Sequence, residues 1–159
     1  MVTLLERGLD RVERLKTLIT DWRLMGRSLG GVLPSRFAAT GSRGVQSTSY
    51  RVLPQLFEGR VRDDDVLVDV GCGRGRVLSW WLRQGYRNRM IGLEIDEEIA
   101  ADTSRRLARY PRLSIVSGDA VENLPDAGTL YFLALPADLW ARSARGAWSL
   151  GARHVARLA

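Results

Sequence analysis

The sequence predicts an α/β fold, a parallel sheet with helices on both faces. Between Asp65 and Leu133, short runs rich in valine, leucine and isoleucine alternate with helical patterns. The runs are apolar at consecutive positions, as strands buried on both sides must be. The first of them, LVDV, passes directly into a turn with glycines at alternate positions, Gly71, Gly73 and Gly75.

Taken in order, Thr3 to Met25 carries apolar residues every three or four positions (Leu5, Leu9, Val12, Leu15, Ile19, Trp22, Met25) and predicts an amphipathic helix of about six turns. Such a stripe is expected to bury itself against its own domain, although a membrane surface or a partner could also take it. Ser28 to Ser49 is rich in glycine and serine and contains Pro34, which predicts an irregular segment, a lid or a linker. A short helix over Arg51 to Glu58 follows, with Pro54 in its first turn, where a missing N–H does least harm. Strands are then expected at Asp65–Val70, Met90–Ile95, Leu113–Val116 and Thr129–Leu133. Helices fall between them at Arg76–Gln84, closed by Gly85, and at Glu97–Tyr110, stopped by Pro111.

At 159 residues and 45% apolar, the chain can form one compact core. No stretch reaches the roughly 18 consecutive apolar residues of a membrane span, and charge interrupts MVTLLERGLD too early for a secretory leader. The expectation is a cytoplasmic protein. With one cysteine and one histidine, neither a disulfide nor a metal centre is expected. The net charge of +6 comes from 24 cations, all but Lys16 arginine. Their scatter leaves open both a phosphate-bearing partner and a mere compositional bias.

The glycine turn carries the chemistry. Gly71 and Gly73 let the backbone approach a ligand, and Gly75 allows close packing where a helix begins. A dinucleotide-binding GxGxxG turn offers helix N-terminal amides to a pyrophosphate, yet here Arg76 holds the sixth position and Asp69 lies two residues before the first glycine. A carboxylate there favours a cationic group. Glu94 ends the second strand 23 residues after Gly71, the spacing at which an acid accepts hydrogen bonds from ribose hydroxyls. Asp119, after the third strand, can accept from an exocyclic amine.

These residues resemble the class I S-adenosylmethionine-dependent methyltransferases. The likeness lies in Val68-Asp69-Val70-Gly71-Cys72-Gly73-Arg74-Gly75, in Gly92-Leu93-Glu94-Ile95-Asp96 and in Ser117-Gly118-Asp119-Ala120. The resemblance implies a Rossmann-like fold with S-adenosylmethionine as cofactor, held by Asp69 near the methionine ammonium, by Gly71, Cys72, Gly73 and Gly75 beneath it, by Glu94 at the ribose, and by Asp119 and Ala120 at the adenine. The lead-in Gly41 to Gly59 is similar to the segment preceding this motif in some bacterial members, which makes Gln46, Ser47, Thr48 and Tyr50 lid or substrate-side candidates; Ser47 and Ser49 would equally serve as helix caps. Cys72 is expected to be a small filler rather than an acidified thiol. Arg74 and Arg76 could steer an anionic group such as the cofactor carboxylate, or equally be solvated.

Two features depart from the family. The Asn/Asp-Pro-Pro-Tyr/Phe motif of amino-group methyltransferases is replaced by Leu133-Ala134-Leu135-Pro136, which holds no amide or carboxylate. About four strands are legible, the first half of the family sheet, whose strands run in the order 3-2-1-4-5-7-6. The tail 137–159, with seven alanines and four arginines, reads as helical. The expected organisation is a helical and lid segment at 1–59, a cofactor-binding core at 60–136 and the tail. A natural shortening, a shifted reading frame, or completion by another chain would each explain the short sheet. A helix bearing Trp140 and Trp148, or a homodimer, would cover the edge of the fourth strand. The functional expectation is methyl transfer to an unidentified small molecule, RNA or protein; the alternatives are a non-catalytic cofactor-binding subunit and a nicotinamide-dependent oxidoreductase.

Overall fold

The computed structural model describes residues 4–29, 32–33, 45–46, 48–133, 135 and 137–157. Helix α1 (Leu4–Met25) is followed by two-residue strands β1 (Val32–Leu33) and β2 (Val45–Gln46), which pair antiparallel within the segment expected to be irregular. Helix α2 (Leu53–Phe57) carries Pro54 in its first turn. The core then runs β3 (Val66–Val70), α3 (Arg76–Arg83), β4 (Arg89–Glu94), α4 (Glu97–Leu107), β5 (Leu113–Ser117), β6 (Leu130–Leu133), α5 (Ala137–Ser149) and β7 (His154–Arg157).

The main sheet has five strands, all pairing parallel, in the order β5-β4-β3-β6-β7. In chain order these are the third, second, first, fourth and fifth core strands. The strand order reverses at β3, where β4 lies on one side and β6 on the other. Ligands of open parallel sheets bind beyond the carboxyl ends of the strands at such a reversal, and the glycine turn leaves β3 there.

Both sheet faces are covered. Leu67, Met90, Leu130 and Phe132 pack with Phe57, Trp80, Trp81 and Leu107 from α2, α3 and α4. On the other face Val68, Val70, Ile91, Leu93, Tyr131 and Leu133 pack with Ala147 and Trp140 of α5. Phe57 holds the first cluster by edge-on contacts, its ring centroid 5.3 Å from Trp81 and 5.6 Å from Phe132.

The tail corrects the sequence reading. It is a helix and then a strand, and β7 pairs along the whole of β6, Leu130 opposite His154 and Leu133 opposite Arg157. The edge that a dimer or a covering helix was expected to hide is thus filled by the chain itself. Trp140 packs beneath α5 on the sheet, whereas Trp148 stays 53% exposed. The pairing begins where Arg153 and His154 N–H groups donate to the Thr129 carbonyl at 2.7 and 3.2 Å. The Arg153 guanidinium also bonds the buried carboxylate of Asp65, which accepts from Thr129 Oγ1 at 2.7 Å as well. Burial pushes the Asp65 carboxyl up, but hydrogen bonds from Arg153, the Arg62 N–H and Thr129 outweigh it and hold the group below its ordinary range.

Helix α1 overturns a second expectation. It docks through Thr20, Asp21 and, of the apolar stripe, Met25, all buried, while Leu15, Ile19 and Trp22 of the stripe are exposed. Asp21 is fully buried and accepts from three groups, Leu29 N–H at 2.8 Å, Tyr50 Oη at 2.8 Å and Arg76 Nη2 at 2.9 Å. Thr20 Oγ1 meets Arg83 Nη1 at 2.6 Å. A carboxylate at this depth is tolerable only with such partners; Arg76 and Arg83 fasten α1 to both ends of α3.

Candidate functional site

The floor of the site is the turn from β3 into α3. The N–H groups of Gly71 and Cys72 both donate to the Leu93 carbonyl on β4, at 2.8 and 2.9 Å, which folds the turn over the neighbouring strand end. Gly71 has φ +76° and Gly75, at the start of α3, φ +79°, backbone states that a residue with a Cβ adopts only at a cost. Space is as restrictive at Gly75, where a Cβ would stand 2.9 Å from Thr103 Cγ2 and 3.2 Å from Leu107 Cδ1. Thr103 Oγ1 donates to the Gly73 carbonyl at 2.9 Å, so α4 fixes the turn from behind.

Glu94 ends β4 and is buried. Its Oε2 accepts from Gly73 N–H at 2.8 Å and its Oε1 from Asp96 N–H at 3.0 Å. Burial raises its proton affinity in spite of these bonds. Asp96 in turn caps α4, accepting from Glu98 and Ile99 N–H. At the next strand end, Gly118 N–H donates to the Glu94 carbonyl at 3.0 Å, and Asp119 Oδ1 accepts from Val121 N–H at 2.7 Å. Hydrogen bonds therefore link the glycine turn to Glu94 and Glu94 to Gly118, the residue before Asp119, across three successive parallel strand ends.

Asp69 differs from these acids. It is 1% exposed, and its Oδ2 has no hydrogen-bond partner among the described residues. Burial, reinforced by the nearby Glu94 charge, pushes its carboxyl up to about 8. The sequence reading makes Asp69 a negative charge; burial and the neighbouring Glu94 shift it toward its protonated form. Orphaned buried carboxylates are costly and uncommon, and this one stands on β3 two residues before the glycine turn begins.

Residues 67–145 match the family model described as a methyltransferase domain. This stretch, just under half of the chain, carries a methyltransferase domain on the Rossmann-like fold of the class I S-adenosylmethionine-dependent enzymes. Among solved structures, an RNA methyltransferase from Salinibacter ruber in complex with S-adenosyl-L-homocysteine is similar with a TM-score of 0.58 and 21% identity, over 65% of this chain and 70% of that one. A dimethyladenosine transferase from Plasmodium falciparum gives 0.54 at 16% identity, over 63% and 37% of the two chains. The 23S rRNA methyltransferase ErmE gives 0.53 at 20% identity, over 68% and 43%. The chain spans less than half the length of the latter two, and the likeness to all three is one of fold. No curated protein matches this sequence.

For this methyltransferase, the structure brings Asp69, Gly71, Cys72, Gly73, Gly75, Glu94, Asp119 and Ala120 to one end of the sheet. Cys72 lies in the core, its Sγ 2.8 Å from where a Cβ on Gly92 would stand, and burial followed by the Asp69 and Glu94 charges pushes its thiol well above its ordinary value. That suits a filler and not a reactive thiolate. Arg74 and Arg76 reach the N-terminal segment. Arg74 Nη2 donates to the Leu29 carbonyl at 2.7 Å, and Arg76 bonds Asp21 and the Thr48 carbonyl, so both serve the docking of the N-terminal segment.

Of the lid candidates, Tyr50 and Thr48 belong to that same docking region. The Tyr50 hydroxyl is committed to Asp21 and its ring lies 5.3 Å under the Arg76 guanidinium. Burial and the adjacent Asp21 carboxylate push the phenol well above its ordinary value, so it remains a neutral donor. Gln46 lies in β2, and Ser47 falls outside the described residues. Leu133 is buried in the core against α5, and Leu135 is half-buried with its Cδ2 3.1 Å from where a Cβ on Gly71 would stand. Sequence reasoning missed Asp21 and Thr103. An acid at a position turned toward the domain was the available signal for Asp21; a lone threonine inside a helix gave none for Thr103. No cluster of three or more metal-ligating side chains occurs among the described residues.

Proposed function

We propose that the protein transfers the methyl group of S-adenosylmethionine to an acceptor aligned above the glycine turn. The observation that carries this reading is Asp69, a buried carboxylate with an unpartnered oxygen two residues before a turn of positive-φ glycines. The residues fit the cofactor: Asp69 matches an ammonium, the turn leaves room for close backbone contact, and Glu94 presents a carboxylate at the neighbouring strand end. When bound, S-adenosylmethionine supplies an activated methyl on a good leaving group.

What remains for the chain is to bind, orient and exclude water. Asp69 would hold the amino end and Glu94 the ribose, with Asp119 and Ala120 at the base. Alignment of this kind contributes up to about 7 to 11 kcal/mol without any acid or base. The apolar Leu133 and Leu135 favour an acceptor whose nucleophile needs no amide to position it. Tyr50 and Thr48 contribute through the clasp that seats the N-terminal segment.

The test is calorimetric titration with S-adenosylhomocysteine and with NAD, followed by donor-consumption assays on small-molecule, RNA and protein pools. Binding of the adenosyl compound with turnover in one pool supports the proposal. Binding of NAD alone would refute it, and cofactor binding without turnover in any pool would favour the non-catalytic alternative.

A further inference from the structure

Helix α1 is turned inside out relative to its own amphipathicity. The face that meets the domain carries Thr20, Asp21 and Met25, at 5%, 0% and 3% exposure, while Val12, Leu15, Leu18, Ile19 and Trp22 are 52%, 57%, 40%, 45% and 60% exposed. At about 100° per residue these five side chains form one continuous arc of about 120°. Five large apolar groups gathered on one exposed face constitute a binding surface and not the scattered exposure of ordinary surfaces.

The edges of the stripe identify what it meets. On the helical wheel Arg14 borders one side, and Arg23 and Lys16 border the other; all three are exposed. Glu13 lies on the far side of the helix. Its contact with Lys16, 3.1 Å between side chains 40% and 67% exposed, is a surface pair that a stronger anionic field displaces readily. An apolar centre with a tryptophan and cationic rims is the pattern of a helix lying in the interface of an anionic bilayer. A second copy of the chain is a poorer match, because two such faces would oppose their cationic rims.

We infer that α1 lies along the surface of an anionic membrane through Val12, Leu15, Leu18, Ile19 and Trp22, with Arg14, Lys16 and Arg23 at the headgroups. The polar clasp of Thr20 and Asp21 leaves the stripe free for this contact and ties the membrane-bound helix to the turn of the site. No helix among the described residues is long and apolar enough to cross a membrane, so the attachment is peripheral.

Flotation of the full chain with phosphatidylcholine vesicles, with and without phosphatidylglycerol, tests this inference. The chain is expected to float only with the anionic vesicles and to be released by high salt. The Leu15→Ser/Trp22→Ser double variant should lower partitioning by about tenfold or more, and Arg14→Glu/Arg23→Glu should lower it independently. Both variants should keep the wild-type circular dichroism spectrum and S-adenosylhomocysteine affinity. Failure of the folded wild type to float, or flotation unaffected by the apolar double variant, would overturn the inference. A dimer in sedimentation equilibrium that the same variant dissolves would assign the face to a second copy instead.

Discussion

Arg76 and Asp21 meet at 2.9 Å, with side chains 8% and 0% exposed, and so join the residue that begins α3 to the C-terminal part of the N-terminal helix. Removing Asp21 takes an acceptor from Arg76 at a buried position. Asp21→Ala should therefore cost about 3 to 5 kcal/mol in urea unfolding, because Tyr50 and Leu29 N–H lose their acceptor along with Arg76. Asp21→Asn, which keeps acceptor capacity for some of these donors, should cost less. A loss below about 1 kcal/mol for the alanine variant would mean that the clasp opens readily to water.

The core of the fold was legible because consecutive apolar residues and glycine punctuation depend only on local chemistry. The strand bounds from β3 to β6 differ from expectation by a residue at most. Strand β7 was not legible: HVAR has one β-branched residue, and what holds it is Thr129, Asp65 and the whole of β6, all distant in sequence. The acids at the strand ends were legible by spacing, but not their states. Nothing in the sequence says that Glu94 would bond Gly73 N–H or that Asp69 would go without a partner. The outward stripe of α1 was also hidden, since periodicity marks an apolar face without saying which way it turns.

Asp69 should make stability depend on pH in the opposite sense to most carboxylates. Its folded-state value of about 8 lies above the ordinary 3.8, so between those values the native state binds more protons than the unfolded chain. Stability of the ligand-free protein should then fall as pH rises from about 4 to about 8, by at most about 1.4 kcal/mol per unit. Asp69→Asn should flatten that slope while weakening S-adenosylhomocysteine binding. A wild-type slope unchanged in the asparagine variant would show that Asp69 is not its source.

The same group predicts proton release on binding. An ammonium beside Asp69 favours the carboxylate, so titration with S-adenosylhomocysteine near pH 7 should liberate up to one proton from this site. Repeating the calorimetry in buffers of different ionisation enthalpy measures it. Heats independent of buffer would mean that no titrating acid meets the ligand.

Glu94 has two duties that its substitutions should separate. Glu94→Ala removes the acceptor for Gly73 and Asp96 N–H as well as the proposed ribose contact, so it should weaken cofactor affinity by about 1 to 3 kcal/mol and lower stability as well. Glu94→Gln retains one oxygen and should recover part of the stability. If affinity is unchanged in the alanine variant, the ribose lies elsewhere.

Asp65 and Arg153 predict how the fifth strand comes loose. The Asp65 carboxyl is held below its ordinary 3.8 by Arg153, Arg62 N–H and Thr129 against the opposing effect of burial, and a depressed carboxylate contributes stability that is complete above the unfolded value and is lost as pH falls through the folded one. Arg153→Met removes the guanidinium and leaves Asp65 short of partners, at a cost of about 1 to 2 kcal/mol near neutrality. The loss should be local at first. Strand β7 is held on one side only, by β6, so its amides should gain hydrogen exchange before those of β3 and β4, which are paired on both sides. Equal acceleration across all five strands would show that β7 unfolds only with the whole sheet, and that the ion pair stabilises the domain without governing its edge.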